Sequence, residues 1–438
     1  MTAYWLERAW TGSGPVRDGV LVDVVDGVFT RVTSAEPGDA NRLAGLTVPG
    51  LANCHSHAFH RALRGRTQAE RGTFWTWREQ MYDVAARLTP DTYYELARAA
   101  YREMVTGGIT TVGEFHYLHH GPDGTPYDDP NEMSHALVAA AREAGLRIAL
   151  LDTCYLAAGI GLPPEGVQRR FSDGTAERWV QRVEEADLGP DVRLGAALHS
   201  VRAVPRDQMW HVTGWAGRTA APLHVHLSEQ VAENDACLAA YDMTPAELLE
   251  DVGALGRRST AVHATHLTTD DTALLGASGT HACLCPTTER DLGDGIGPSR
   301  ALHDAGSSLT LGTDSHAVVD LFEEMRAIEL DERLATQERG HWSAVELLVA
   351  ATATGHRSLG FERVGRIEVG ARADLVTLDT ASVRTAGTGA DEATAVFAAS
   401  TADVVHVVRD GVVVATDDDR RAAGAELDRV VRSLWEGR

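Results

Sequence analysis

The chain has 438 residues, of which 44% are hydrophobic and 24% are charged, and this composition is typical of a globular protein with a sizeable core. Its formal net charge of −23 argues against nucleic acid and anionic membranes as partners, because both are bound through basic surfaces. All 40 basic residues are arginines, which excludes a Schiff-base lysine, a lysine-containing phosphate loop and a carbamylated lysine that bridges two metal ions.

The two ends of the chain carry the same strand-rich pattern. Residues 1–48 contain short alternating strands with a hairpin signal at Asp26-Gly27, and residues 364–438 repeat the pattern with Asp410-Gly411. Neither end is long enough for a stable β-domain alone. We therefore predict one small β-sandwich built from both ends, with the rest of the chain inserted in it.

Several absences favour a cytoplasmic location. The amino-terminal residues MTAYWLERAW lack the basic and apolar regions of a signal peptide. No run of about 18 apolar residues predicts a membrane span. The five cysteines are odd in number and show no disulfide spacing.

The middle of the chain, residues 49–363, alternates apolar strands with helical segments. The helical segments 89–108, 130–146 and 244–255 each open on a proline-containing cap signal. Strands that are apolar on both faces and separated by helices are typical of parallel sheets, and eight such units indicate a (β/α)8 barrel. The predicted strands cover residues 47–55, 109–117, 146–155, 192–200, 222–229, 259–267, 280–288 and 308–316.

Histidine and acidic residues gather at the carboxyl ends of these strands, where barrels of this kind build their active sites. A lone strand histidine is more often a hydrogen-bonded core residue, but several strand ends together predict a metal site. Residues i and i+2 of a strand point the same way, so both imidazoles of a His-x-His pair can reach one ion. The four clearest strand ends are His55-x-His57, His224-x-His226-x-x-Glu229, His263-x-x-His266 and Asp314-Ser-His316.

The predicted metal ligands are His55, His57, His226 and Asp314. Nitrogen and oxygen donors of this kind suit Zn²⁺, with Fe²⁺ and Mn²⁺ as alternatives. One divalent ion is expected rather than two, because no lysine can bridge a pair and no carboxylate ends the fourth strand. Such an ion lowers the pKa of its bound water to about 7, so hydroxide becomes available at neutral pH.

This arrangement resembles the amidohydrolase superfamily over nearly the whole chain, and Glu229, three residues after a strand-five histidine, is similar to its deaminase branch. Seven segments resemble the formimidoylglutamate deiminase family of histidine degradation. One residue departs from that family, which generally has glutamine where this chain has His60. The seven segments are NCHSHAFHRALRG, FWTWREQMY, TTVGEFHYLHH, ALHSVRAV, HVHLSEQ, CPTTERDLGDG and LGTDSH.

The resemblance implies hydrolysis of N-formimidoyl-L-glutamate to N-formyl-L-glutamate and ammonia, by attack of metal-bound hydroxide on the formimidoyl carbon. Asp314 is expected to take the proton from the water, and Glu229 to pass a proton to the departing nitrogen. His263 is expected to hold the nucleophile or to stabilise charge at the tetrahedral carbon. His266 is expected to be structural.

The two carboxylates of that substrate call for cationic partners. Arg202, after the fourth strand, and Arg78, in FWTWREQMY, are the candidates, because guanidinium groups bind carboxylates in a bidentate manner. A surface position is the alternative for each. Tyr117, His199 and His60 complete the predicted substrate site, whereas the roles of four other residues stay open. These four are His119, His120, Glu289 and Arg290.

Two other functions stay open. A deaminase of the same superfamily would act on a nucleobase or another small imine or amidine, but a neutral ring does not need two arginines. A non-catalytic relative would be expected to lack a metal ligand or the acid, and this chain has all of them. A homodimer is expected in either case.

Overall fold

The structure is a computed structural model that describes residues 1–69, 71–72 and 74–436. Its amino-terminal segment forms four strands. Asp26 and Gly27 join the second and third strands with backbone φ angles of 51° and 76°, which is the geometry of a two-residue hairpin turn. The strands are β1 (Thr2–Ala9), β2 (Arg17–Val25), β3 (Val28–Ser34) and β4 (Asn41–Pro49).

Eight parallel strands form a second sheet, in which each strand pairs with the next along the chain. The first and last of them meet at their carboxyl ends, where the backbone amides of Thr313 and Asp314 donate to the His55 carbonyl at 3.1 and 3.0 Å. The sheet thereby closes, and the predicted (β/α)8 barrel is confirmed. Its strands are β5 (Leu51–Ser56), β6 (Ile109–His116), β7 (Arg147–Cys154), β8 (Arg193–Ser200), β9 (Leu223–Leu227), β10 (Ser259–His263), β11 (His281–Leu284) and β12 (Leu309–Leu311).

The predicted first barrel strand, residues 47–55, was wrong in one respect, because it is divided between two sheets. β4 ends at Pro49 and β5 begins at Leu51. Gly50 lies between them, and a Cβ atom there would lie 2.3 Å from Thr110 Oγ1. Asp374 Cβ would lie only 2.8 Å from the same added Cβ atom, so glycine allows the close packing at the point where the chain passes from the terminal sheet into the barrel.

Both ends of the chain contribute to one terminal unit, as predicted, and its strands form a single seven-stranded mixed sheet. The carboxyl-terminal strands are β13 (Leu375–Leu378), β14 (Val404–Arg409) and β15 (Val412–Thr416). The strand order is β15-β14-β13-β4-β1-β2-β3, and among the described residues only β1 and β4 pair in parallel. A hydrophobic core of its own joins residues from both ends, such as Leu6, Val22, Leu375 and Val408.

Helices surround the barrel and follow most of its strands. None of those in the described residues combines the length and apolarity that crossing a membrane needs. They are α1 (Phe74–Arg87), α2 (Pro90–Thr106), α3 (Glu132–Ala144), α4 (Ala176–Glu184), α5 (Arg206–Thr219), α6 (Val231–Tyr241), α7 (Pro245–Asp251), α8 (Thr269–Ser278), α9 (Pro286–Leu292), α10 (Ser299–Ala305), α11 (Leu321–Thr336), α12 (Ala344–Val349), α13 (Gly355–Ser358), α14 (Glu392–Phe397) and α15 (Asp419–Glu436).

The long helix α15 was not expected from the strand-rich pattern of the carboxyl terminus. It buries Ala423, Leu427 and Val430, whose spacing of four and three residues is that of one helix face. Arg98 and Arg102 of α2 both reach the Glu426 carboxylate at 2.6 Å, which ties the end of the chain to the barrel.

A buried charge network joins α4 to the barrel wall. The Arg182 guanidinium lies 2.8 Å from an oxygen of Asp152 and 2.8 Å from an oxygen of Asp173. Trp179 Nε1 also donates to Asp152. Burial alone would raise the pKa of Asp152, but the charge of Arg182 lowers it to about 2. The carboxylates therefore remain ionised in the buried network because Arg182 is there, and Arg182 is balanced by them.

Arg182→Met is expected to destabilise the fold by about 3–5 kcal/mol at pH 7, because it leaves two buried carboxylates without their cation. The Asp152 pKa is lower in the folded chain than the ordinary 3.8, so its contribution is present above pH 4 and is lost as the pH falls toward 2. Urea midpoints at pH 7 and pH 3 should show a smaller difference from the wild type at the lower pH. The exposed Arg178 on the same helix is the control, and an equal loss in Arg178→Met would contradict the assignment.

Candidate active site

The predicted site residues meet in one cavity at the carboxyl ends of the barrel strands. His55 lies just beneath its floor, fully buried, with its ring 4.7 Å from that of His57. Residues far apart in the chain therefore share one small space. Ten of the eleven predicted residues line the cavity: His57, His60, Arg78, Tyr117, His199, Arg202, His226, Glu229, His263 and Asp314.

The four predicted metal ligands bring their donor atoms together. His55 Nε2 lies 3.0 Å from His226 Nε2 and 3.4 Å from Asp314 Oδ1. His57 Nε2 lies 3.3 Å from the same Asp314 oxygen. Tetrahedral ligands that are 2.0–2.1 Å from a zinc ion lie roughly 3.3 Å from each other, so these atoms have the spacing of a ligand shell.

Hydrogen bonds to backbone carbonyls orient two of these rings. His57 Nδ1 lies 2.9 Å from the Phe115 carbonyl oxygen, and His226 Nδ1 lies 2.9 Å from the His199 carbonyl oxygen. A carbonyl only accepts, so each ring carries its proton on Nδ1 and presents the lone pair of Nε2 to the cluster.

The protonation states of the predicted ligands also suit the binding of a cation. Burial, followed by the charge of His55, lowers the pKa of His57 to about 3, which keeps that ring neutral. Burial alone would raise the pKa of Asp314, but the hydrogen bond and charge of His55 hold it well below its ordinary value. Neutral imidazoles and an ionised carboxylate are the forms that bind metals, so the residues present fit a divalent ion.

Several residues at the strand ends around the site have strained backbone. Ser228, His263, Asp314 and His316 all have positive φ angles, between 39° and 67°. Such angles are uncommon for residues other than glycine and persist only where the surroundings hold them. At Asp314 the surroundings are the first strand, because its amide donates to the His55 carbonyl and its carbonyl accepts from the His57 amide.

Glu114 of β6 holds the turn that carries His57. Its carboxylate accepts from the Ser56 hydroxyl at 2.8 Å and from the Ala58 amide at 2.7 Å, on either side of that ligand. The sequence motif TTVGEFHYLHH contains this residue, but nothing in the motif indicated that it contacts the first strand.

His263 lies among three carboxylates. Its Nε2 is 3.6 Å from Asp314 Oδ2 and 4.0 Å from Glu229 Oε1, and its Nδ1 is 3.4 Å from Glu289 Oε1. Burial alone would lower the pKa of His263, but the charge of Glu229 and then the hydrogen bond to Glu289 raise it well above its ordinary value. Burial raises the pKa of Glu229. Each of the two groups can therefore hold a proton next to the metal ligands.

Glu289, whose role stayed open in the sequence, orients the His263 ring. One of its oxygens also accepts from the Cys285 amide at 2.8 Å, which fixes the carboxylate at the start of α9. His266 lies outside the cavity lining, and its backbone amide donates to the Ser228 carbonyl. This position agrees with the structural role expected for His266.

Two further acidic residues hold the turn around Glu229, and both were missed in the sequence. The buried Glu233 accepts from Arg202 Nε at 2.7 Å with one oxygen and from the Ser228 amide at 2.9 Å with the other. Asp294 accepts from the Gln230 side chain, and burial followed by the charge of Glu229 raises its pKa to about 8. The sequence offered one sign of this role, a charged residue on the buried side of a helix. That sign was present for Glu233 and not for Asp294.

Aromatic side chains form the outer wall. His60 Nε2 lies 2.9 Å from the Tyr117 hydroxyl. The Tyr155 ring packs 4.7 Å from the His199 ring, and the Arg78 guanidinium lies 5.6 Å from the centre of the Tyr82 ring. Tyr155 directly follows β7, so it could have been predicted as a site residue from its strand-end position, as His199 was.

Three residues whose roles stayed open lie away from the cavity. His119 Nε2 contacts the Thr153 carbonyl at 2.9 Å, and His120 Nε2 contacts Asp173 at 3.0 Å. Arg290 pairs with Asp331 on the outside of the barrel.

The cysteines are all buried, and no disulfide joins any of them within the described part of the chain.

Known proteins are similar to this chain in sequence and in fold. A formimidoylglutamate deiminase of Pseudomonas aeruginosa is 38% identical over 394 residues, which cover 86% of each chain. A 5-methylthioadenosine/S-adenosylhomocysteine deaminase of Syntrophobacter fumaroxidans is 30% identical, over 89% of this chain and 84% of that protein. The crystal structure of an amidohydrolase from Brucella melitensis superposes with a TM-score of 0.90 at 31% identity, over 99% of this chain and 100% of that one. The amidohydrolase family pattern matches residues 46–414, so the chain belongs to the amidohydrolase family.

Proposed function

We propose that the protein hydrolyses N-formimidoyl-L-glutamate to N-formyl-L-glutamate and ammonia. It is a hydrolase that acts on C–N bonds, as its family and its 38% identical relative indicate. The observation that carries the narrower proposal is that Arg78 and Arg202 line the same cavity as the metal-donor cluster and Glu229. A substrate with one reactive amidine and two carboxylates matches this combination of groups.

The two arginines favour an anionic substrate over a nucleobase. A neutral ring offers their guanidinium groups no anionic partner, whereas each carboxylate of N-formimidoyl-L-glutamate can accept two hydrogen bonds from one of them.

His55, His57, His226 and Asp314 would hold one divalent ion. Zn²⁺ suits these donors, with Fe²⁺ and Mn²⁺ as alternatives. When bound, such an ion supplies hydroxide at neutral pH and polarises the reacting group.

The side chains of the chain itself move the protons. Water adds to the formimidoyl carbon, and the bond from that carbon to the imino nitrogen breaks. The ionised Asp314 carboxylate accepts the proton that the water gives up. Glu229 gives a first proton to the imino nitrogen as the water adds, and His263 stabilises negative charge as the tetrahedral carbon forms. The proton that Asp314 took from the water then passes to the same nitrogen, which leaves as ammonia. The hydroxyl group on the carbon returns its proton to Glu229 as the formyl carbonyl forms, so both carboxyl groups regain their starting states.

The protein positions the substrate through the two carboxylates of the substrate. Arg202 is held by Glu233 through Nε and keeps its Nη atoms for a carboxylate. Arg78 reaches the cavity from α1, and the Tyr117 hydroxyl adds a polar contact. Fixed groups of this kind lower the barrier by holding the reacting carbon in place.

A substrate panel tests the proposal. Metal-loaded enzyme should release ammonia from N-formimidoyl-L-glutamate at least about 100-fold more efficiently than from N-formimidoylglycine, because a site built for a charged group rejects analogues that lack it. Adenosine and guanine should release none, and the activity should disappear with a chelator. The absence of ammonia from N-formimidoyl-L-glutamate at millimolar concentration would overturn the proposal.

His60→Gln restores the residue that the related deiminases generally have. Both side chains can hydrogen-bond the Tyr117 hydroxyl, so kcat/KM for N-formimidoyl-L-glutamate is expected to change by less than about tenfold, the effect of one neutral hydrogen bond. Steady-state kinetics on the same panel provide the measurement. A switch to another substrate would contradict the role given to His60.

Glu233→Gln is expected to raise KM by about tenfold, because Arg202 loses a charge-assisted hydrogen bond that holds it in place. Metal content should stay unchanged. Asp235→Asn is the control, because it removes one negative charge from an exposed position of the same helix. If both variants raise KM equally, the effect reflects the charge of the helix and Glu233 has no positioning role.

A further inference from the structure

A second cavity lies at the opposite end of the barrel, between the amino-terminal ends of β7 and β8 and the terminal sheet. Its volume is about 700 Å³, within the range of ligand pockets. Arg147 lines it at the start of β7, whereas Tyr155, just after the end of that strand, lines the candidate active site. Eight residues of extended chain separate the two by about 26 Å. This second cavity is therefore a separate space.

The second cavity is rich in arginine although the chain is strongly acidic. We call it the arginine cavity. Within the part of the chain that the structure describes, three acidic residues line it, Asp191, Glu362 and Asp410. An adjoining cavity of about 970 Å³ shares Arg193 and adds three more arginines, Arg257, Arg258 and Arg357. The arginines that line the arginine cavity itself are Arg142, Arg147, Arg193, Arg363, Arg372 and Arg409.

Ion pairs with the buried Asp374 and the partly exposed Asp410 hold the arginines at the floor of the arginine cavity. Arg147 donates to Asp374 at 2.5 Å and to Asp410 at 2.7 Å. Asp410 also accepts from Arg372 Nε at 2.6 Å, and Arg409 Nε lies 3.7 Å from its second oxygen. One carboxylate is thus shared by three guanidinium groups. Positive charge remains at the floor after these pairs have formed.

The rim carries more arginines than carboxylates. Arg142, Arg193 and Arg363 are all exposed and form no ion pair within 4 Å in residues 1–69, 71–72 and 74–436. Two exposed carboxylates, Asp191 and Glu362, lie on the same rim and pair with none of the three. Guanidinium groups that converge on one concave space repel each other, and a multivalent anion relieves this repulsion. Their planar forks also match phosphate and carboxylate oxygens in a bidentate manner.

We propose that the arginine cavity binds a small multivalent anion through its phosphate or carboxylate groups. The concave shape and the ligand-sized volume favour a small molecule over a flat protein surface. The proposal does not rest on the function assigned to the active site, since the two cavities share no lining residue.

Calorimetric titration of the metal-loaded, full-length protein tests the proposal with two probes, fructose 1,6-bisphosphate and tricarballylate. Saturable binding of one or both is expected. The double variant Arg193→Gln/Arg363→Gln should weaken it about tenfold or more, as the loss of charge-assisted hydrogen bonds implies. The tighter probe identifies the site as one for phosphate or for carboxylate groups. The metal content is measured before and after each titration, so that heat from chelation is recognised.

Three controls make the result decisive. Arg17→Gln/Arg339→Gln removes the same charge from two exposed positions outside the cavity and should change the affinity by less than about twofold. Arg202→Met should leave the binding intact, because that residue lies in the active site. Arg142→Gln is a second cavity variant, which is used if the double variant does not fold. It is also expected to weaken binding of the probe. No saturable binding, equal weakening in both double variants, or loss in Arg202→Met instead would overturn the proposal.

Discussion

Glu229→Gln is expected to lower kcat for N-formimidoyl-L-glutamate by about 10²–10⁴-fold, the usual contribution of a positioned general acid or base. Glutamine keeps the shape of the side chain but cannot deliver a proton to the departing nitrogen. The Glu229 carboxylate lies 4.0 Å from His263 Nε2, beside the metal-donor cluster. Its loss therefore affects the chemical step more than substrate binding.

The measurement combines ammonia release with metal analysis. Metal content should match the wild type, because the four donor residues and the carbonyls that orient them are unchanged. KM should change little. Glu250→Gln, an exposed substitution on α7, is the control for the loss of one negative charge. Wild-type kcat in Glu229→Gln would show that another group, such as His263, supplies the proton.

Arg202→Met is expected to lower kcat/KM by roughly 30- to 4,000-fold, which corresponds to the 2–5 kcal/mol lost when one partner of a buried charge pair is truncated. The side chain of Arg202 is 25% exposed, toward the cavity, and pairs with the buried Glu233. Methionine retains much of the volume but offers no hydrogen bond to a substrate carboxylate. Metal content should again stay unchanged.

Arg202→Met also leaves Glu233 without its cation. Part of the loss in kcat/KM therefore comes from a disturbed turn at Ser228, which Glu233 holds, and not from a missing contact with the substrate. The double variant Arg202→Met/Glu233→Gln separates these contributions through a thermodynamic cycle. If the loss is through Glu233 alone, the double variant should be no worse than Glu233→Gln. A wild-type kcat/KM in Arg202→Met would show that Arg202 does not bind a substrate carboxylate.

The two predictions also distinguish the proposed substrate from the alternatives. A deaminase that acts on a neutral ring would depend on Glu229 but not on Arg202. The 30% identical relative is a deaminase of a different substrate, so family membership alone does not decide between them. Sensitivity to both substitutions supports a substrate with an anionic group.

Much of the barrel was predictable because its signals are local. A strand that is buried on both faces is apolar throughout, and a histidine pair spaced by two residues shows which side chains share a direction. His55 and His57 follow this rule. Asp314 was predicted from its place after the last strand, although its positive φ angle departs from strand geometry. The division of residues 47–55 between two sheets was not predictable, since it depends on the contact between Gly50 and Thr110.

The neighbours of the site were less accessible to sequence reasoning. Glu233 and Asp294 are ordinary acidic residues in the sequence, and only the folded chain shows that they hold Ser228 and Gln230 on either side of Glu229. His224 shares a strand face with His226 but lies deeper in the barrel, so only His226 reaches the donor cluster. Depth along a strand is set by how the barrel closes.

The barrel, the strands of both termini and the residues of the metal-donor cluster could be predicted from the sequence, because strand periodicity sets side-chain direction and parallel strands end on one side. The side chains that support that cluster became evident only in the folded chain, and so did the second cavity, which arginines from α3, β7, β8 and β14 line. These contacts join segments that are distant along the chain. Their geometry follows from packing and charge in three dimensions, which no local pattern records.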